Sequence, residues 1–214
     1  QEKINLTNKN FFFKTHNALC KINGNKFTDK NNTLAAIYLI RDPRNVVTSI
    51  ANHYQISIRE AFNFMKDDKR GIVEKDGERY TGFQPLLSWS LHIKSWSENT
   101  LYPTLIIKYE DLIIDTTSTF KKVLNFINDV TKSKKNIDEQ KLLTCVENCK
   151  FSNLKKMENQ NGFDESMIDK KTGNKITFFN LGKKNDFRNL LEKNLIDEIN
   201  EYFKYQLKKY KYII

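Results

Sequence analysis

The amino-acid sequence predicts an α/β fold in which a central parallel sheet is flanked by helices, formed as a single domain over residues 1–214. Two observations lead to this prediction. The predicted elements follow the order strand, strand, helices, strand, helices, which favours a parallel sheet with helical crossovers. Residues 34–40 (LAAIYLI) are apolar without alternation, as is typical of a strand covered on both faces.

The first two strands are predicted from short apolar runs. Residues 11–13 (FFF) predict a buried strand, with Lys14, Thr15 and His16 at its exit. Turn-forming Asn and Gly residues follow, and the second strand comes at residues 34–40. In a parallel sheet, the polar residues that leave both strands are expected at the same, carboxyl edge.

Two helices are predicted directly after the second strand. Asp42 is a good N-cap and Pro43 a favoured first helical residue, so a helix is expected from there to about Tyr54. Ser57 and Glu60 have the spacing of a capping box, which predicts a second helix that ends near residue 65.

The middle of the chain contains a charged segment and an apolar stripe. Residues 66–83 contain three glycines and many charges, which predicts a mobile loop that could act as a lid over an acceptor. Leu86, Trp89, Ile93 and Trp96 have the spacing of one face of an amphipathic helix. We interpret this stripe as packing against the sheet, with a ligand platform as the alternative.

The remaining elements lie in the second half of the chain. Residues 104–109 (TLIIKY) predict a third strand, and helical patterns occur around residues 124–127, over 137–149 and from about 187 to 209. Cys145 and Cys149 lie four residues apart in a helical stretch. We interpret them as buried thiols, with a zinc site as the alternative.

The composition limits the partners and the compartment. The chain has 36 Lys and Arg against 26 Asp and Glu, a net charge of +10, which predicts an anionic partner: nucleic acid, an acidic surface or a phosphate-rich ligand. No apolar run approaches the roughly 18 residues of a membrane span, so no membrane partner is expected. The three cysteines suit a reducing compartment, and we predict a cytoplasmic protein.

Three polar residues are candidates for chemistry by their position. His16 ends a predicted strand, where a neutral imidazole could accept a proton from an alcohol; an ordinary surface histidine is the alternative. Arg41 ends the next strand, before a capped helix whose free N–H groups favour an anion. Ser49 lies about two turns into that helix, on a similar face. Alternatively, Arg41 pairs with Asp42 or another carboxylate, and Ser49 is a small packing residue.

Several segments resemble, in order along nearly the whole chain, the cores of the sulfotransferases that use 3′-phosphoadenosine 5′-phosphosulfate (PAPS). They are residues 14–16 (KTH), 37–49 (IYLIRDPRNVVTS), 89–96, 108–112 (KYEDL), 151–157 and 178–188 (FFNLGKKNDFR). The resemblance implies an architecture of the P-loop-NTPase type. It also implies PAPS as co-substrate, its desulfonated form PAP as product, and no metal.

The resemblance implies a role for each matching residue. His16 is the general base for the acceptor hydroxyl, Lys14 lies beside the transferring sulfuryl group, and Arg41 and Ser49 hold the 3′-phosphate. The residues implied for the adenine pocket are Tyr109, Ser152 and Leu154, and those in the loop that closes over the 3′-phosphate are Asn180, Gly182, Lys183 and Arg188. Cationic and N–H donors are expected to provide most of the catalysis, because the transition state spreads negative charge over the sulfuryl oxygens.

Three departures from the family pattern are visible. No segment resembles the Lys-Ser-Gly-Thr-Thr-type turn and the strand before it that bind the 5′-phosphosulfate, so we expect an N-terminally incomplete domain. Asn180 and Leu181 replace a basic pair, Asn185 replaces a second glycine, and Arg188 replaces a lysine. Leu154 stands where many members place an aromatic residue, which predicts weaker stacking on adenine.

The leading functional prediction is a PAPS-dependent sulfotransferase that acts on a hydroxyl, or an amine, of a small-molecule or glycan acceptor. A noncatalytic domain that binds PAP or PAPS is the alternative. A nucleic-acid-binding module comes third, because the lysines are scattered and no zinc-finger or RNA-recognition signature is present. The acceptor and the oligomeric state stay open.

Overall fold

The computed structural model describes residues 10–76, 79–169 and 172–212 of the chain. The strands in these residues are β1 (Lys21–Ile22), β2 (Asn25–Lys26), β3 (Ala36–Ile40), β4 (Gly71–Asp76), β5 (Arg79–Pro85) and β6 (Thr104–Lys108). The helices are α1 (Pro43–Tyr54), α2 (Ile58–Lys66), α3 (Trp89–Ser97), α4 (Tyr109–Ile114), α5 (Thr116–Thr131), α6 (Glu139–Asn148), α7 (Phe151–Asn161), α8 (Phe187–Leu190), α9 (Lys193–Tyr202) and α10 (Lys204–Lys209).

The α/β class and the parallel pairing are confirmed by strands β3 and β6. They run parallel in a register that starts at Ala36 opposite Thr104 and ends at Ile40 opposite Lys108. Within the described residues these strands pair only with each other, so the sheet there is small. The prediction that both faces of β3 are covered is wrong. Ile37 and Leu39 are 40% and 52% exposed, because helix packing covers only the opposite face, which carries Ile40.

The strand predicted at residues 11–13 is wrong. Phe11, Phe12 and Phe13 are all exposed, and no strand forms there. An apolar run becomes a strand only when a neighbouring backbone satisfies its N–H and C=O groups, and none of the described strands pairs with residues 11–13. The chain is instead held a little later by helix α3, where the Trp96 indole N–H donates to the Asn17 carbonyl at 3.0 Å.

The two helices predicted after β3 are confirmed, including their caps. The Asp42 carboxylate accepts the Arg44 N–H at 2.9 Å, and Pro43 opens α1, which ends at Tyr54. The capping box of α2 is present, with the Ser57 N–H donating to the Glu60 carboxylate at 2.8 Å. Each contact joins residues within three positions of each other, so it could be read from local sequence.

The prediction of a loop at residues 66–83 is wrong, because most of this segment forms an antiparallel hairpin in which β4 pairs with β5. Residues 77–78 lie outside the described part of the chain. Gly71 is placed opposite Pro85, and the Phe83 ring lies so close to Gly71 that a Cβ there would be 2.4 Å from it. High charge and glycine content indicated a loop, but strand pairing depends on the partner segment rather than on composition.

The hydrophobic core lies between β3, helices α1 to α3 and the C-terminal helices. Its fully buried side chains include Val47, Phe62, Ile199, Phe203 and Leu207. The apolar stripe of α3 belongs to this packing as predicted, with Ile93 buried in the core and Trp96 buried beside it.

The last predicted helix, residues 187–209, is not continuous. The chain forms α8, α9 and α10, and it is extended at Leu191, with φ of −114° and ψ of 145°. Leu191 is buried in the core, so packing of its side chain stabilises a break that the helical periodicity did not reveal.

The interpretation of the cysteines as buried is also wrong. Cys145 and Cys149 are both exposed free thiols, because α6 buries only Leu142 against its neighbours. In the part of the chain that the structure describes, no helix is both long and apolar enough to cross a bilayer.

Candidate functional site

The site begins at the carboxyl edge of the parallel pair, where Arg41 and Tyr109 follow the last residues of β3 and β6. Those last residues, Ile40 and Lys108, lie opposite each other in the register. The two residues that come next are therefore neighbours. The Arg41 guanidinium carbon lies 4.5 Å from the centre of the Tyr109 ring, in a cation–π contact.

Arg41 and Ser49 are brought together as the sequence spacing predicts. The Arg41 Nη1–H donates to Ser49 Oγ at 3.1 Å, and the Ser49 hydroxyl donates to the Asn45 carbonyl at 3.1 Å. The Arg41 Nε is buried and has no hydrogen-bond partner. Buried donors are nearly always paired, so an orphaned guanidinium N–H beside a serine hydroxyl fits the oxygen of a bound anion.

The alternative in which Asp42 neutralises Arg41 is wrong. The Asp42 carboxylate is bound on both oxygens by Arg44, whose Nε donates at 2.9 Å and Nη2 at 2.7 Å. Asp42 and Arg44 are 5% and 3% exposed. Among the described residues Arg41 forms no ion pair, so no carboxylate there neutralises its charge. Arg44, in contrast, is bound to Asp42 within the fold.

The loop after residue 177 reaches the same place through Asn185, a residue to which sequence reasoning assigned no role. Its Nδ2–H donates to Ser49 Oγ at 2.9 Å, and its Oδ1 accepts from the Thr48 hydroxyl at 2.5 Å. The Phe187 N–H donates to the Asn45 side chain at 2.9 Å. The only available sequence signal was that asparagine replaces a glycine of the family pattern.

The turn at Gly182 packs on the start of α7. Gly182 has φ of 55°, and a Cβ at this position would lie 2.7 Å from the Phe151 ring, so glycine is required for both reasons. The Asn180 amide donates to the Asn52 side chain at 2.9 Å, and the Asn180 carbonyl accepts from Lys155 Nζ at 3.0 Å. These contacts connect the turn to α1 and α7.

The other predicted nucleotide residues are not joined to Arg41 or Ser49 by any described hydrogen bond. Arg188 is exposed and bound to Asp186, and the hydrogen bond from Arg188 lowers the pKa of that carboxyl. Lys183 and Ser152 are exposed, and Leu154 is half-buried on α7. Among the described interactions, Tyr109 contacts Arg41, whereas these four residues form no hydrogen bond with Arg41 or Ser49.

His16 is exposed, and its main chain is held by His92 from α3. The His92 Nε2 lies 3.2 Å from the His16 carbonyl oxygen, and its Nδ1 lies 2.8 Å from the Tyr38 hydroxyl. A carbonyl can only accept, so Nε2 carries the proton and Nδ1 accepts from Tyr38. Burial lowers the pKa of His92, which favours this neutral form. His92 was missed because only the apolar stripe of its helix was considered, and His92 lies outside that stripe.

A second group of charged residues surrounds His53, one turn beyond Ser49 on α1. Burial lowers the pKa of His53, the Glu165 carboxylate acts in the opposite direction, and the neighbouring His16 lowers it further. Lys14 forms an exposed ion pair with the same Glu165. Ser49 and His53 are four residues apart and so lie on the same face of α1. The Arg41–Ser49 pair and the group formed by His53, Glu165 and His16 are therefore neighbours along this face.

Comparison with known proteins agrees with this architecture. A family model described as the sulfotransferase domain matches residues 1–211. The chain therefore belongs to the sulfotransferase domain family.

Individual relatives are distant, and the chain spans about half the length of the curated relative it matches. Sulfotransferase 2A6 of Rattus norvegicus is 30% identical over 157 residues, which cover 72% of this chain and 49% of that protein. A retinol dehydratase in complex with androsterone and inactive cofactor PAP has a TM-score of 0.55 at 19% identity, covering 80% of this chain and 47% of that one. Mouse sulfotransferase SULT7A1 complexed with PAP has a TM-score of 0.53 at 18% identity, covering 80% and 58%.

Proposed function

We propose that this protein is a PAPS-dependent sulfotransferase that transfers a sulfuryl group to the hydroxyl of a small-molecule or glycan acceptor. The observation that supports it best is the pairing of Arg41 with Ser49, with a buried Arg41 Nε that lacks a partner. Two structurally similar proteins were solved with PAP, a nucleotide whose 3′-phosphate suits such a cluster. We propose residues 1–214 as one domain with this function.

We propose the nucleotide roles from the resemblance to the family and, for Arg41, Ser49 and Tyr109, also from their mutual contacts. Arg41 and Ser49 would hold the 3′-phosphate, and Tyr109, which already contacts Arg41, would place the adenine beside it. The further residues proposed for the adenine pocket and the closing loop are Ser152, Leu154, Asn180, Gly182, Lys183 and Arg188. Lys183 and Arg188 are exposed, so their contribution would be electrostatic attraction unless the loop changes conformation.

In the proposed reaction His16 acts on the acceptor. Its imidazole takes the proton of the acceptor hydroxyl as that oxygen bonds to sulfur and the bond between sulfur and the phosphate oxygen breaks. PAPS supplies the sulfuryl group and leaves as PAP. Lys14 would stabilise charge on the sulfuryl oxygens once it releases Glu165, and exposed ion pairs of this type are weak enough to exchange.

The acceptor class rests on the relatives and on the surface next to His53. The retinol dehydratase was solved in complex with androsterone, which carries a hydroxyl group on an apolar skeleton. Here the Phe178 ring packs edge-on against the His53 ring, with 6.1 Å between the ring centres, and Phe178 is 39% exposed. An apolar surface therefore lies next to His53 and its neighbour His16. We therefore propose that the acceptor is an apolar or aromatic alcohol rather than a highly charged glycan.

The test is turnover of radiolabelled PAPS with a panel of hydroxyl acceptors, combined with calorimetric binding of PAP. His16→Ala is expected to lower turnover by about 100-fold or more, the usual effect of losing a general base, while PAP affinity stays unchanged. Equal turnover in both proteins would exclude His16 as the base. Wild-type protein that binds PAP but does not turn over PAPS would support the noncatalytic alternative.

A further inference from the structure

Two N–H donors from distant parts of the chain converge on the Ser49 hydroxyl oxygen. Arg41 Nη1 donates to it at 3.1 Å, and Asn185 Nδ2 donates to it at 2.9 Å. The hydroxyl hydrogen itself points to the Asn45 carbonyl. A hydroxyl has one hydrogen to donate and two lone pairs to accept with, so the hydrogen-bonding capacity of Ser49 is fully used in this arrangement.

The orientation of the Asn185 amide is determined by its neighbours. Its Nδ2 lies 3.2 Å from the Asn45 carbonyl oxygen, which can only accept a hydrogen bond. The opposite atom, Oδ1, faces the Thr48 hydroxyl at 2.5 Å. The amide therefore directs its N–H groups at the carbonyl and at Ser49. The backbone φ of −75° is ordinary for any residue, so this side chain is presented without strain.

The cluster has more donors than acceptors. The Arg41 Nε–H has no acceptor, and two other N–H donors share the single acceptor oxygen Ser49 Oγ. Hydrogen bonds to a charged oxygen are about twice as strong as those to a neutral one, so both convergent donors would gain by moving from the hydroxyl to an anionic oxygen. Among the described residues no carboxylate forms an ion pair with Arg41.

We propose that Asn185 is a specificity-determining residue that donates a hydrogen bond to the 3′-phosphate of the nucleotide. On binding, its Nδ2–H moves from Ser49 Oγ to a phosphate oxygen, and its Oδ1 stays on Thr48. The Asn185 side chain then supplies a donor in a loop where Asn180 and Leu181 stand in place of cationic residues. This inference rests on the proposed function, because it requires a 3′-phosphorylated nucleotide.

The experiment compares calorimetric affinities for PAP and for adenosine 5′-monophosphate, which lacks the 3′-phosphate. Asn185→Ala is expected to weaken PAP binding about 10-fold or more, and Asn185→Asp about 10- to 100-fold, as for loss of a hydrogen bond to a charged group. Asn185→Asp keeps the acceptor for Thr48, so it tests the donor if the alanine variant folds poorly. Affinity for the monophosphate should change less than about twofold.

Asn189→Ala is the matched control, because Asn189 is exposed on α8 four residues further on. It should bind both nucleotides as wild type does. Unchanged or tighter PAP binding by Asn185→Ala would overturn the inference, since the side chain would then be neutral or would occupy the phosphate position. If wild type itself fails to prefer PAP over the monophosphate, the proposed function fails together with it. A preference kept by wild type and by both Asn185 variants refutes the inference alone.

Discussion

Breaking the buried ion pair between Asp42 and Arg44 on one side should cost more stability than breaking any other charged pair near the site. Arg44 is 3% exposed, donates twice to Asp42, donates to the Asn200 side chain at 3.1 Å and lies 4.1 Å from the centre of the Phe187 ring. It thereby ties the start of α1 to α8 and α9. Replacing it by methionine keeps the aliphatic volume but leaves the Asp42 carboxylate buried and without its partner.

Breaking a buried pair in this way costs about 3–5 kcal/mol. For a chain of this length about 2–4 °C of melting temperature corresponds to each kcal/mol, so Arg44→Met should lower the melting temperature by about 6–20 °C. The free energy of unfolding is measured by urea denaturation, with thermal melting as the second observable. Arg188→Met is the matched control. Its ion pair with Asp186 is exposed, so its loss should leave the unfolding midpoint almost unchanged.

A double variant separates the loss of attraction from the cost of an unpaired charge. Asp42→Asn combined with Arg44→Met removes both charges and keeps a side-chain oxygen that can cap α1. Because replacing both partners of a buried pair is often neutral, the double variant should recover most of the stability lost in Arg44→Met. A single variant that unfolds at the wild-type urea midpoint, or a double variant less stable than the single one, would refute the reasoning.

Two further predictions concern the turn at Gly182 and the support of His16. Gly182→Ala and Gly173→Ala both place a side chain at positive φ, at a cost of about 1–2 kcal/mol, but only the first meets a ring, that of Phe151, whereas Gly173 faces open space. Urea denaturation should therefore show a larger loss for Gly182→Ala, and equal losses would contradict the contact. The pKa of His92 is lowered by burial, so the unfolded chain binds more protons below about pH 6.5 and stability falls from pH 7 to pH 5. His92→Gln should reduce that fall, and an identical pH dependence in variant and wild type would show that His92 does not contribute.

Much of the candidate site was predictable because its first contacts are local or follow from strand order. Arg41 and Tyr109 end two strands that could be identified as apolar runs, and parallel pairing makes such ends neighbours. Ser49 is placed by the pitch of a helix whose N-cap, Asp42, is visible in sequence. In the same way, the capping box of α2 depends only on residues three positions apart.

Other features depended on partners that are distant in sequence. Sequence alone left open whether Arg41 pairs with Asp42, because the competing pairing of Arg44 with Asp42 is stabilised by contacts with Asn200 and Phe187. The convergence of Asn185 on Ser49 joins residues 136 positions apart. His92 was likewise not singled out from the sequence, and its contact with the His16 carbonyl joins residues 76 positions apart.

By itself, the sequence determined the α/β class, the starts of α1 and α2 and the spacing that pairs Arg41 with Ser49, because helix caps, helical pitch and strand order are properties of short segments. Tertiary structure decided the rest. It left residues 11–13 exposed, paired residues 71–76 with residues 79–85 in a hairpin, broke the last helix at Leu191 and brought Asn185 to the Ser49 hydroxyl. The physical reason is that a strand or a side-chain cluster is stable only with its partner, and the partner's position depends on the whole packed core.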